Sequence, residues 1–217
     1  MLMIDIGYVE VSSVNALLDG CSSIEILDLG FSAQSLDKVC VPPSLKRLKI
    51  TIENDVGAYL EVNAPDLQYL NITQITFGEG FSLYSLPNVV EAYLDVFPTS
   101  LGSIVPLHNL FGALSGAKHL MLSRSTTKVK ERSPILAWSP QPSIPNCLVS
   151  HLSFIEFKGF RGFPDEVSFV EYVLQNGHVL KTLIIADISL DLKKKYLILK
   201  LVSDVPRASA MCQLKFD

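Results

Sequence analysis

An α/β solenoid of leucine-rich-repeat type is the fold this sequence predicts: an irregular horseshoe of about eight short parallel strands, closed by an α/β C-terminal cap. Three observations carry the prediction. The first is an apolar triplet, two residues three apart and a third two later. It returns as Met1/Ile4/Ile6, Ile24/Leu27/Leu29, Leu45/Leu48/Ile50, Leu67/Leu70/Ile72, Val89/Ala92/Leu94, Ala117/Leu120/Leu122, Leu152/Ile155/Phe157 and Leu180/Leu183/Ile185. Its third positions are spaced by 23, 21, 22, 22, 28, 35 and 28 residues, against a period of about 20–29 for L-x-x-L-x-L repeats. The second is punctuation: Ser23, Ser44, Pro65, Pro87 and Gly116 each stand just before a triplet, where Pro and Gly open strands and make turns. The third is Pro65-Asp66-Leu67-Gln68-Tyr69-Leu70-Asn71-Ile72, in which a turn residue leads into the period-2 alternation of a half-buried strand. Because 48% of the chain is apolar, one triplet alone would arise by chance roughly one time in ten. The regular spacing of the first five copies makes the reading, which is tightest over residues 1–94.

Taken in order, the first residues already form a repeat strand, and nothing upstream covers it. A solenoid needs a capped terminal repeat, so the expectation is the C-terminal part of something longer, or a capping partner. Residues 13–20, ending at Gly20, predict the short helix of a return leg, and residues 106–116 another. Gly78, Gly80 and Pro87 predict an irregular return leg over 73–88. Residues 123–146 read as an exposed Pro/Ser/basic insertion, with Arg124, Lys128, Lys130 and Arg132 as a solvated basic cluster and Trp138 pinning it to the core. Alternation resumes over 151–157. A helix follows at 165–176, capped by Asp165, with Val167, Val170, Tyr172, Val173 and Leu174 as its apolar face and Gly177 as its stop. A strand at 180–186, a helix near 191–203 led by Asp191, and a final strand Cys212–Phe216 complete the chain. The organisation expected is repeats at 1–122, the insertion at 123–146, and a C-terminal domain at 147–217 that continues the solenoid.

Composition excludes several function classes. Charged residues are 18% and mean hydropathy is +0.33, yet no apolar run reaches the roughly 18–20 residues of a membrane helix. Met1-Leu2-Met3-Ile4 has no basic lead and is soon broken by Asp5 and Glu10, so no secretory signal is read. A net charge of −4 gives no pull toward nucleic acid or acidic lipid. Cys21, Cys40, Cys147 and Cys212 are widely separated, which reads as buried reduced thiols and a cytoplasmic or nuclear protein. The sequon Asn71-Ile72-Thr73 is then a coincidence.

Catalytic and cofactor signals are missing: there is no G-x-S-x-G, phosphate loop, H-E-x-x-H or G-x-G-x-x-G. His108, His119, His151 and His178 are scattered rather than at metal spacing, and Glu166 and Glu171 stand five apart, off a common helix face. Lys193-Lys194-Lys195 reads as one solvated helix turn. No catalytic, cofactor-binding or metal residue is therefore assigned, and the chain reads as a non-enzyme. Function falls instead to the concave face, where residues flanking the second and third triplet positions point away from the core. These are Asp5, Asp28, Arg47, Lys49, Tyr69, Asn71, Glu91, Tyr93, Asp95 and His119, a mixture of both charges with aromatics that suits protein recognition.

One further set of residues stands out: Trp138, Pro145, Cys147-Leu148, His151-Leu152, Gly159-Phe160-x-Gly162, Glu166, Tyr172-Val173-Leu174, Asn176, Leu180, Leu183 and Ile185. Through them the chain from residue 138 to the end resembles the FBD domain, which closes many plant F-box proteins after leucine-rich repeats. The ending Pro206-Arg207-Ala208-Ser209-x-x-Cys212-Gln213-Leu214-x-Phe216 is the most specific part of the likeness. Upstream, Leu17-Leu18-x-Gly20-Cys21-x-x-Ile24-Glu25-x-Leu27-x-Leu29 and Ala64-Pro65-Asp66-Leu67-x-Tyr69-Leu70 look like the repeats of the same family. The resemblance implies a substrate-recognition part of an F-box receptor of a cullin ubiquitin ligase, with a protein substrate on the repeats. No F-box pattern, Leu-Pro-Asp-x-Leu-Leu followed by Ser-Lys-Arg-Trp, occurs in these residues. A Skp-type adaptor is thus an expected partner only if an F-box is supplied. The competing expectations are a truncated product without independent role and a small-molecule-sensing repeat module.

Overall fold

The computed structural model describes residues 1–33, 38–53, 59–76, 81–97, 111–123, 143–162, 164–186 and 192–217. Its strands are β1 (Leu2–Val9), β2 (Ile26–Ala33), β3 (Lys38–Cys40), β4 (Arg47–Glu53), β5 (Tyr59–Val62), β6 (Tyr69–Thr76), β7 (Phe81–Leu83), β8 (Glu91–Phe97), β9 (His119–Ser123), β10 (Phe154–Lys158), β11 (Thr182–Ala186) and β12 (Gln213–Phe216). The helices are α1 (Val11–Asp19), α2 (Asn146–Ser150), α3 (Pro164–Asn176) and α4 (Leu192–Ser203). Nine strands form one sheet in the order β1-β2-β4-β6-β8-β9-β10-β11-β12, and every pairing in it is parallel. This is the predicted α/β solenoid, with a ninth strand where about eight were expected.

The triplets are the inner face of that sheet. Register places Leu27, Leu48, Leu70, Ala92, Leu120, Ile155 and Leu183 in one row across neighbouring strands. Each is at most 1% exposed, so the sheet's second triplet position is a continuous apolar stripe. Ahead of it a turn recurs, with the first triplet residue donating its N–H three residues back: Ile24 to Cys21, Leu45 to Pro42, Leu67 to Ala64, Val89 to Leu86, Ala117 to Leu114 and Leu180 to Gly177. One carbonyl per repeat then accepts two N–H groups from the next. Glu25 serves Lys46 and Arg47, Lys46 serves Gln68 and Tyr69, Gln68 serves Val90 and Glu91, and Val90 serves Lys118 and His119. The turns are thereby paired as fully as the strands, which a stack of buried backbone requires.

The first triplet is corrected. Leu2 pairs with Leu27 and Ile4 with Leu29, so the inward pair is Leu2/Ile4 rather than Ile4/Ile6, and that repeat is 25 residues long. Met1 is 84% and Ile6 38% exposed. The edge strand lacks a second neighbour, and Leu2, Ile4 and Ile6 are all apolar on the inward parity, so pattern alone leaves a two-residue slip open.

A second, three-stranded parallel sheet, β3-β5-β7, forms the return layer of the early repeats, with Val39, Leu60 and Val62 fully buried against the main sheet. Of the leg expected to be irregular over 73–88, Gly78 and Gly80 lie outside the described residues, and this sheet supplies β7, with Pro87 in the turn that follows. Its edge is closed by α1: the Asn15 side chain donates to the Lys38 carbonyl at 2.8 Å and accepts from the Cys40 N–H at 3.1 Å, a usual defence of an exposed strand edge. Repeat length follows the return leg. Leu29, Ile50, Ile72 and Leu94 share one row, 21 or 22 residues apart, and return through strands. From Leu94 onward Leu122, Phe157 and Ile185 follow at 28, 35 and 28 residues, and helical segments lie between them. A helix advances about 1.5 Å per residue and a strand about 3.3 Å, so a helical return needs more chain to cover the same sheet.

Helix boundaries moved by small amounts. α1 spans Val11–Asp19 instead of 13–20, and of 106–116 residues 111–116 are described, a helical turn at 111–113 running into a turn at 114–116. α3 begins at Pro164, so Asp165 is its second residue and not its cap; Pro is favoured in that first position because it has no N–H to leave unpaired. Gly177 follows the helix as expected, and a Cβ there would come within 2.7 Å of the Val173 carbonyl oxygen. The stretch expected to alternate over 151–157 is preceded by α2, and its strand runs Phe154–Lys158. Arg124, Lys128, Lys130, Arg132 and Trp138, most of the 123–146 insertion, His108 and Asp191 lie outside the described residues.

Candidate functional site

The candidate surface is the outer face of the main sheet, built from the positions between inward residues. Three rows cross it. The first is Ile26, Arg47, Tyr69, Glu91, His119, Phe154, Thr182 and Gln213. The second is Met3, Asp28, Lys49, Asn71, Tyr93, Met121, Glu156, Ile184 and Lys215. The third includes Asp5, Gly30, Thr51 and Thr73 at one end and Asp95, Ser123 and Lys158 at the other. All ten sequence-selected residues therefore share one face. Asp5 stands beside Gly30, where register puts Met3 and not Asp5 beside Asp28.

Specific contacts organise the face. Lys49 Nζ lies 2.9 Å from Asp28 Oδ2, and Glu156 Oε1 3.5 Å from Lys158 Nζ. These are solvent-facing pairs that fix side-chain positions more than they stabilise the fold. The Arg47 guanidinium lies over the Tyr69 ring at 4.4 Å, a cation–π contact. Asn71 Nδ2 donates to the Tyr69 hydroxyl at 3.3 Å, so the sequon asparagine is a packed strand residue. His119 meets Phe154 edge-on, ring centroids 5.7 Å apart. Phe154, Glu156, Thr182 and Ile184 were missed by the sequence selection, although the same parity rule applied to the last triplets would have found them.

The described residues hold no group of three or more His, Cys, Asp and Glu able to bind a metal ion, and no described helix is long and apolar enough to cross a membrane. All four cysteines are free thiols, but only Cys147 and Cys212 are buried; Cys40 is exposed and Cys21 half-buried, which corrects the expectation of four buried thiols. Cys40 flanks the inward Val39 on a three-residue strand and so faces outward. Burial pushes the Cys147 thiol up to about 11 and raises that of Cys212, with Arg207 opposing. A thiol with a pKa near 11 is ~0.1% thiolate at pH 8. Iodoacetamide at pH 8 is therefore expected to label Cys40 first and Cys147 and Cys212 only on denaturation, as peptide mass spectrometry would read.

The C-terminal motif residues are structural. Gly159 and Gly162 have φ of 72° and 73°, conformations that disfavour a Cβ, and bracket the fully buried Phe160. Glu166, 4% exposed, accepts the Arg161 N–H at 2.9 Å and so ties this turn to α3. His151 stands at the exposed end of α2 with Nδ1 2.7 Å from Ser150 Oγ. The ending is pinned by Ala208 N–H to the Leu174 carbonyl at 2.9 Å and by Arg207 to the Cys212 carbonyl at 2.7 Å.

Residues 140–185 match the FBD family model. An F-box/FBD/LRR-repeat protein of Arabidopsis thaliana is 28% identical over 98% of this chain and 62% of its own length. A second F-box/FBD/LRR-repeat protein from the same plant is 28% identical over 99% of the chain and 62% of its own. An FBD-associated F-box protein of that plant is 26% identical over 96% and 62%. The chain thus spans about 62% of the length of these curated relatives. No solved structure matches. Across nearly its whole length this chain is similar to plant F-box/FBD/LRR-repeat proteins, and its residues 140–185 match the FBD family.

Proposed function

We propose that this chain is a non-enzymatic protein-interaction module, the substrate-recognition part of an F-box receptor of a cullin ubiquitin ligase, acting in the cytoplasm or nucleus. The observation that supports it best is the outer sheet face, where aromatic and charged side chains stand in register across the strands, alongside homology to F-box/FBD/LRR-repeat proteins. Asp28, Arg47, Lys49, Tyr69, Asn71, Glu91, Tyr93, Asp95 and His119 are the proposed contact set. Tyr69 and Tyr93 are its anchors, since aromatic side chains dominate protein interfaces. A Skp-type adaptor joins only where an F-box is present in the same polypeptide.

The test is affinity capture followed by quantitative binding. The captured partner should bind Tyr69→Ala/Tyr93→Ala at least ~10-fold more weakly, as expected for loss of about 2 kcal/mol of anchor energy, with an unchanged melting temperature. Unchanged affinity moves the site off this face.

A further inference from the structure

We infer that the centre of the outer face receives an arginine or lysine side chain from an extended segment of the partner protein, with Glu91 as its counter-charge. This rests on the recognition surface proposed above and names the chemistry it selects. Asp28 is neutralised by Lys49 and Glu156 by Lys158, while Arg47 is held on Tyr69. The Glu91 carboxylate makes no ion pair or hydrogen bond among the described residues. Register sets Glu91 between Tyr69 and His119 on adjacent strands, and Tyr93 follows two residues on, on the same face. Neighbouring strands are about 4.8 Å apart and same-face residues about 7 Å, so three aromatic rings surround one unpaired carboxylate.

Such a carboxylate prefers a cation that brings its own hydrogen-bond donors and stacks on rings, which guanidinium does best and ammonium next. The face already holds one example in Arg47 on Tyr69. With Tyr69 covered by Arg47 and His119 set against Phe154, Tyr93 is the ring left for an incoming cation. A partner presenting an acidic residue here would meet an unneutralised like charge.

The experiment uses the full chain and three fluorescein-labelled pentapeptide pools, randomised except for a central Arg, Gln or Glu, read by anisotropy at low salt. The expected result is at least fivefold tighter binding of the Arg pool than of the other two. Glu91→Gln should abolish that preference, and Glu91→Lys should turn it toward the Glu pool. Asp66→Asn removes the same charge from an exposed turn and should leave the preference intact. Equal loss in Asp66→Asn and Glu91→Gln would reduce the effect to net charge and overturn the inference. Binding that depends on Tyr93 but ignores the central residue also overturns it, leaving the recognition surface standing. No binding of any pool overturns it too; only a captured partner indifferent to Tyr69→Ala/Tyr93→Ala removes the recognition surface as well.

Discussion

Gly116→Ala is expected to destabilise the chain by about 3 kcal/mol, lowering its melting temperature by roughly 10 °C. Gly116 sits in the turn that leads to Ala117, stacked on the preceding repeat's turn. A Cβ built there would lie 1.9 Å from the Pro87 carbonyl oxygen and 3.0 Å from its carbon. Both are backbone atoms, so no rotamer change relieves the clash and two turns must separate. That movement also strains the neighbouring ladder, in which Leu86 donates to the Ala113 carbonyl at 2.8 Å and Lys118 and His119 donate to Val90. Gly112→Ala is the control: nothing lies within 4 Å of its added Cβ, and an exposed helical glycine gains a few tenths of a kcal/mol from alanine. Differential scanning fluorimetry on the pair separates the close approach from glycine's general flexibility. Equal melting temperatures would show that the turns are not packed as described.

Phe160→Ala is expected to cost about 4 kcal/mol, the usual range for a large buried aromatic. Phe160 is fully buried and meets Phe157 edge-on at 5.6 Å. Phe157 in turn lies 6.0 Å from Phe169, and Phe169 6.1 Å from Phe111. The four rings join β10, the turn after it, α3 and the helical turn at 111–113, so truncation opens a cavity where those segments meet. Phe160→Leu should cost only about 1–1.5 kcal/mol, because it refills most of that volume. Urea unfolding of both variants reads the difference, and a near-zero effect for Phe160→Ala would contradict the packing.

Where the sequence was legible, the reason was period-2 parity combined with full burial. Leu48, Leu70 and Leu120 could hardly face solvent, so neighbouring residues such as Arg47, Tyr69 and His119 were placed outward before any register was known. The first strand is misplaced by two residues because Leu2, Ile4 and Ile6 are all apolar on the same parity, so alternation does not say which two of them meet Leu27 and Leu29. The three-stranded sheet was missed because its strands are only three or four residues long. Its signal exists in the pairs Val39-x-Val41, Leu60-x-Val62 and Phe81-x-Leu83, a second repeat running inside the first. On the outer face, identities were readable from parity, but pairings were not. That Lys49 meets Asp28, and that Glu91 does not meet a cation, depends on which strands are neighbours.

The change of return layer from strands to helices has a consequence for curvature. Strands behind the sheet stack at about 4.8 Å, the same spacing as the strands in front, so the stretch from β2 to β8 is expected to run nearly straight. Helices pack at about 8–10 Å, wider than the sheet they back, and so act as wedges that close the sheet side from β9 onward. On these spacings the outer surface is expected to run level beneath Arg47, Tyr69 and Glu91 and to curve inward near Phe154. A partner segment lying straight over the first half must bend, or end, at that ring.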